Sequence, residues 1–241
     1  MGFRVNTMCN TGGFPFYLIA GLRKDFVIDY FVETGTAGAE SITEAAKHFK
    51  KCWTIEIVED RAPVSQLLNV HWLNGNSVNV LPGILNELDE LKGSPANEDG
   101  SPNYQYTIFW LDAHWSEPYP NNTAYKECYI MEELDVLKAK QADAVIFIDD
   151  ARLFMGHPPA PNNPQDWPSI QDIFVKLKEN FPFNFSTVID DYIISLPERM
   201  REPIDKEWRQ NYTVRYPSRS DSIRIQTKNI FYEFKKYIDA L

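Results

Sequence analysis

The chain has 241 residues, 44% hydrophobic and 24% charged, enough apolar material for one sizeable core and the size of one large domain. Its formal net charge of −10 at pH 7 excludes a nucleic-acid backbone as the main partner, because phosphate binding needs a basic surface, and favours a neutral or cationic ligand. The three cysteines, Cys9, Cys52 and Cys128, are scattered and odd in number, which fits neither a disulfide framework nor a zinc site and points to a reducing, cytoplasmic setting. No run is long enough to cross a membrane. Phe14 to Leu22 is apolar, but Arg23-Lys24-Asp25 interrupts it at once, so it reads as an amphipathic helix and not a signal peptide.

In chain order, residues 1–13 are a polar lead-in. Phe16 to Tyr30 reads as a helix running into a first strand near Asp29–Glu33. A helix follows over Ala39–Phe49, where Ile42, Ala45, Ala46 and Phe49 recur at helical spacing. A second strand lies near Trp53–Ile57, a helix over Arg61–Asn69, and a third strand starts at Val70 and ends in the polar turn Asn74–Ser77. Val80 to Leu91 is helical, and the Gly/Pro/Asn/Ser-rich stretch 93–103 is a loop. Thr107 to Asp112 and Ala144 to Asp149 are apolar runs ending in acids, as parallel strands covered on both faces read. Between them come a Pro/Asn loop, 115–124, and a helix over Lys126–Lys140. A second loop, 154–167, precedes a helix over Ser169–Asn180 and a hairpin around Asp190-Asp191 at the sheet edge. The tail, 197–241, reads as a charged loop, an alternating piece at Ser222–Gln226 and an aromatic helix, Ile230–Ile238, able to pack on the core or on a second copy in a homo-oligomer. The prediction is one domain, 1–241, with a lead-in (1–29), a core (30–196) and an extension (197–241). Its expected fold is α/β and Rossmann-like: a doubly wound, mostly parallel, seven-stranded sheet with helices on both faces.

Ligands on such sheets bind at the carboxyl ends of the strands. Four of these strands end in polar or acidic residues: Glu33, Glu56, Asp112 with His114, and Asp149 with Asp150. After Glu33 come Thr34, Gly35, Gly38 and Ser41, a strand–glycine turn–helix sequence suited to a nucleotide-like ligand. The spacing Gly35-x-x-Gly38 does not fit the Gly-x-Gly-x-x-Gly of nicotinamide sites. Acid-x-Gly at the end of a first strand resembles motif I of class I S-adenosylmethionine (SAM) methyltransferases. Glu56, about one βαβ repeat further on, suits the ribose hydroxyls, and Asn76 and Ser77 are candidates for the adenine. Each feature also has a plainer use: an ordinary βα turn, a helix cap at Asp149-Asp150, a simple turn at Asn76-Ser77, a satisfied polar pair at Asp112 and His114.

Asp112, Asp149 and Asp150 at neighbouring strand ends are oxygen donors suited to a hard cation such as magnesium or manganese. Such an ion relieves their mutual repulsion and lowers the pKa of an acceptor hydroxyl. His114 is then a candidate base. Glu33-Thr-Gly35, Leu111-Asp-Ala-His114 and Ile148-Asp-Asp150 together resemble the metal-dependent O-methyltransferases of the macrocin type and related polysaccharide-associated methyltransferases. The resemblance spans roughly 30–196. It implies methylation of a sugar or glycan hydroxyl, with SAM as cofactor and Asp112, Asp149 and Asp150 holding magnesium. The chain departs from that pattern at Ala37 and Ala39, where glycine is common, and at His114, where an acid is frequent. The same sheet also serves nicotinamide oxidoreductases, nucleotide-sugar enzymes and non-catalytic proteins.

Overall fold

The computed structural model describes residues 13–58, 67–93, 104–114, 126–140, 144–156, 158, 160 and 162–215. Its strands are β1 (Val27–Thr34), β2 (Lys51–Glu56), β3 (Val70–Asn74), β4 (Gln105–Leu111), β5 (Ala144–Ile148), β6 (Asn184–Ile189) and β7 (Tyr192–Pro197). Its helices are α1 (Phe16–Leu22), α2 (Glu40–Ala45), α3 (Ser77–Lys92), α4 (Ile130–Leu137), α5 (Ala151–Phe154), α6 (Ile170–Asn180) and α7 (Arg201–Arg215). The strands form one sheet in the order β3-β2-β1-β4-β5-β7-β6. β1 pairs in parallel with β2 and β4, β2 with β3, and β4 with β5. β7 runs antiparallel to β5 and makes the expected edge hairpin with β6, turning at Asp190-Asp191. The strand order reverses direction between β1 and β4, which makes the sheet doubly wound.

Alternation along each strand builds two cores. On one face Tyr30, Val32, Trp53, Ile55, Phe109, Leu111, Ile146 and Ile148 pack with α3, α4 and α6 through Leu81, Leu85, Leu134, Leu137, Ile173 and Leu177. On the other Phe31, Cys52, Ile108, Trp110, Val145 and Phe147 pack with α1, α2 and α7 through Leu18, Ile42 and Ile204. A strand covered on both faces has few polar positions to spare, so β5 and the Ile108–Leu111 part of β4 read as unbroken apolar runs.

Several boundaries differ from expectation, each for a local reason. α1 stops at Leu22 and does not continue to Tyr30, because Val27–Tyr30 is drawn into pairing with β4. α2 is only six residues long. The Asn69 amide donates to the carbonyls of Ala46 and Phe49, and the chain turns there into β2. α3 starts at Ser77, three residues earlier than expected, because the Asn76 side chain accepts from the Val78 amide. α4 begins only at Ile130, because Cys128 bridges to His114 and the Glu127 carboxylate accepts from Trp167 Nε1 and the Asn163 amide. After Pro197 the expected charged loop is instead α7, which packs on α1. The expected helix over 61–69 falls mostly outside the described residues, as do the loop 115–124, the alternating piece 222–226 and the C-terminal helix 230–238. Among the described residues no helix is long and apolar enough to cross a membrane.

Candidate cofactor and acceptor site

Parallel register brings the strand ends to one edge. Thr34 pairs with Ile55 on one side and Leu111 on the other, Leu111 pairs with Ile148, and Glu56 pairs with Asn74. The chain leaves each strand still tied to its neighbour. The Gly35 amide donates to Ile55, Gly75 to Glu56, Asp112 to Thr34 and Asp149 to Leu111. The crevice between β1 and β4, where the strand order reverses, therefore has Gly35 and Asp112 on its two lips.

Gly35 has φ +82, and a Cβ there would lie 2.3 Å from the Asp112 carbonyl oxygen. Glycine is required by the neighbouring backbone before any ligand is considered. Gly38 differs: its φ is not positive, and a Cβ would meet the Glu40 carboxylate at 2.4–2.8 Å, the far end of a flexible side chain. The strain sits instead on two alanines, Ala37 at φ 42 and Ala39 at φ 66. A left-handed backbone costs an L-residue about 1–2 kcal/mol, and glycine returns about 0.5–1 of that through unfolded-chain entropy. Ala39→Gly should therefore raise the melting temperature by about 2–4 °C in a calorimetric scan, from roughly 1 kcal/mol of relief.

Glu33 is buried beneath the turn, on the α2 face. Thr54 Oγ1 donates to Glu33 Oε2 at 2.5 Å, and the Thr54 and Thr36 hydroxyls are 2.6 Å apart. Burial pushes its carboxyl up to about 8, against the Thr54 hydrogen bond and with help from Glu56. Glu56, at the end of β2, accepts from the Ala37 amide (3.1 Å) and the Val58 amide (3.0 Å), so it holds the glycine turn to the second strand. Ser41 Oγ accepts from the Phe14 amide at 3.0 Å. Asn76 is occupied as the α3 cap. Ser77 Oγ is buried and has no hydrogen-bond partner.

Across the crevice, Asp112 is 29% exposed at its side chain and His114 only 1%. The His114 ring stands edge-on to Phe154 and Trp167, its Nε2 is 3.3 Å from Asp150 Oδ2, and its Nδ1, 3.9 Å from Asp112 Oδ1, has no hydrogen-bond partner. Burial pushes Asp112 up to about 9, reinforced by the charges of Asp149 and Asp150. Burial, then Asp150, pushes Asp149 up to about 7. Asp150 is held below the usual range: burial opposes this, but the His114 hydrogen bond and the charges of His114 and Arg152 outweigh it.

The structure thus assembles the three acids expected to bind a metal, but bonds within the protein already engage Asp149 Oδ1 and both oxygens of Asp150. Asp149 Oδ1 accepts from the Asp150 amide at 2.7 Å. Asp150 Oδ1 accepts from Arg152 Nη1 at 2.6 Å, and Arg152 also reaches Asp191. Among the described residues no group of three His, Cys, Asp or Glu is arranged to hold a metal ion. A resident magnesium or manganese on Asp112, Asp149 and Asp150 therefore finds no support in this arrangement. Arg152 supplies positive charge at Asp150.

One residue at this edge escaped the sequence reading. Glu133 in α4 is 0% exposed, and neither of its carboxylate oxygens has a hydrogen-bond partner. Burial pushes it up to about 7, against the Ser77 and Thr34 hydroxyls that face it. The signal was present: Glu133 lies three residues after Ile130 and four before Leu137, on the buried face of the helix.

No protein-family model matches the chain, and no curated protein matches it in sequence. Among solved structures it is similar to the methyltransferase domain of bacterial CtHen1, with TM-score 0.39 and 11% identity, covering 74% of this chain and 93% of that one. It is also similar to human methyltransferase-like protein 13 in complex with SAH, with TM-score 0.42 and 12% identity, covering 80% and 90% of the two chains.

Proposed function

We propose that this protein is a SAM-dependent methyltransferase acting on a hydroxyl of a sugar or glycan. The observation that carries the reading is the acid–glycine turn at the strand-order reversal. Gly35 faces Asp112 across the crevice, and Glu56 at the next strand end reaches the turn through the Ala37 amide. The orphaned hydroxyl of Ser77 at the same edge supports a polar ligand there. The glycine spacing speaks against a nicotinamide dinucleotide.

Bound in the crevice, SAM would supply a methyl group on a positively charged sulfur. Glu56, at the end of β2, would accept the ribose hydroxyls. The acceptor side falls to Asp112 and His114. Asp112 is the part-exposed carboxyl here, placed to meet an acceptor hydroxyl at the mouth of the crevice. His114, fixed between Phe154, Trp167 and Asp150, orients and shields that carboxyl. No step is assigned to a metal. The sugar acceptor comes from the resemblance of the strand-end motifs to macrocin-type enzymes.

Calorimetric titration with S-adenosylhomocysteine (SAH), with and without magnesium chloride, tests the reading. Micromolar binding that NADH does not reproduce, unchanged by magnesium, is the expected result. Glu56→Ala should weaken it by roughly 10- to 100-fold, the worth of hydrogen bonds to a charged group. No heat of binding under either condition would sink the SAM reading. Binding that needs magnesium would restore the three aspartates as metal ligands.

A further inference from the structure

Three buried oxygens lie together without partners: Ser77 Oγ and both carboxylate oxygens of Glu133. Ser77 opens α3 just beyond the exit of β3, Thr34 ends β1, and Glu133 sits in the first turn of α4. The Ser77 and Thr34 hydroxyls face the Glu133 carboxyl without completing a hydrogen bond to it. Thr34 Oγ1 already accepts from the Asp112 amide at 3.3 Å. The rest of this helix face is apolar: Ile130, Leu134 and Leu137 are fully buried. An unpaired carboxyl there is unfavourable relative to an apolar residue. The Ser77 and Thr34 hydroxyls carry one hydrogen each, and in the structure neither is delivered to a carboxylate oxygen. A single ligand amino group, with two hydrogens, would satisfy both oxygens.

We propose that Glu133, together with Ser77, recognises the exocyclic amino group of the cofactor's adenine. This inference rests on the SAM reading above and extends it to the base. Glu56 is the ribose acid of that reading. It pairs in register with Asn74, and its carbonyl accepts from the Gly75 amide, so a base extending beyond the ribose passes over the exit of β3. Ser77 starts there, and Glu133 lies behind it. The adenine amino group presents two N–H hydrogens to acceptor-only oxygens. Hypoxanthine presents a carbonyl oxygen at the same position, and that oxygen would face the carboxylate with like polarity.

The experiment is a pair of titrations, SAH against S-inosylhomocysteine, on the wild type, Glu133→Gln and Ser77→Ala, each checked by its melting curve. The wild type should prefer the adenine compound by roughly 10- to 100-fold, as expected when a site built for a donor meets an acceptor. Glu133→Gln, whose amide can donate to the carbonyl of hypoxanthine, should bring the two compounds to near parity, chiefly by improving the inosine compound. A residue that merely stabilised the fold would change both affinities together. Ser77→Ala should narrow the preference in the same direction and serves if Glu133→Gln fails to fold. A wild type without preference, or variants that keep the wild-type ratio, would overturn the assignment of Glu133. If neither compound binds the wild type, the SAM reading falls and this assignment with it.

Discussion

Gly35→Ala should destabilise the protein by about 2–5 kcal/mol, read as a lower urea midpoint at unchanged slope. Two terms add. The left-handed backbone at φ +82 disfavours an L-residue by about 1–2 kcal/mol, and forcing one carbon into a packed position adds about 1–3 kcal/mol. The added Cβ would lie 2.3 Å from the Asp112 carbonyl oxygen and 2.7 Å from its carbon. Backbone cannot rotate away as a side chain can, so β1 and β4 must part at the crevice. A larger residue at this turn would also crowd a ligand bound in the crevice. The structure places the first collision within the protein, so folding should suffer before binding does. Gly38→Ala is the control. Its Cβ meets only the mobile Glu40 carboxylate, and a change within about 0.5 kcal/mol is expected, as for ordinary exposed positions. Equal destabilisation by the two substitutions would refute this account of Gly35.

Stability should fall as pH rises from 5.5 to 8.5. A carboxyl raised in the folded state holds its proton there after the unfolded chain has lost it, so the folded state binds more protons over that interval. The stabilisation is complete below the unfolded value and is lost as pH climbs through the folded one. For Glu33 the interval runs from 4.5 to about 8. About 2.5 units of it lie inside the tested range, worth on the order of 3 kcal/mol at 1.36 kcal/mol per unit. Glu133, raised to about 7, and Asp149, raised to about 7, act in the same direction. Asp150 has the opposite sign, but its lowered carboxyl titrates on the acid side of the range. Urea melts at the two pH values should therefore differ in midpoint, and Glu33→Gln should flatten the difference while keeping the Thr54 contact as a neutral hydrogen bond. A protein equally stable at both pH values, or more stable at 8.5, would show that Glu33 is ionised and paired by a route other than Thr54.

Much of the fold was legible before any coordinates. The runs Ile108–Leu111 of β4 and Ala144–Ile148 of β5 are covered on both faces and wholly apolar, and each ends where the chain leaves the sheet. The acids Glu33, Glu56, Asp112 and Asp149 mark those exits because a strand's carboxyl end meets solvent or ligand. The edge hairpin was readable from two apolar pieces around Asp190-Asp191. Boundaries were less legible where long-range bonds decide them. The amide of Asn69 helps end α2, pairing with β4 claims Val27–Tyr30, and the bridge from Cys128 to His114 delays α4.

The sequence by itself determined the alternation of strands and helices and the gathering of acids at one sheet edge, because periodicity and strand ends are local properties of the chain. Only the tertiary structure decided how those acids are used. Arg152 and His114 take the oxygens of Asp150 that a cation would need, the Asp112 backbone makes Gly35 obligatory, and the fold buries Glu133 unpaired beside Ser77. Each of these depends on which groups from distant segments lie within a few ångströms of one another. Spacing along the chain does not carry that information; the packing of β1 against β4, and of α3 against α4, does.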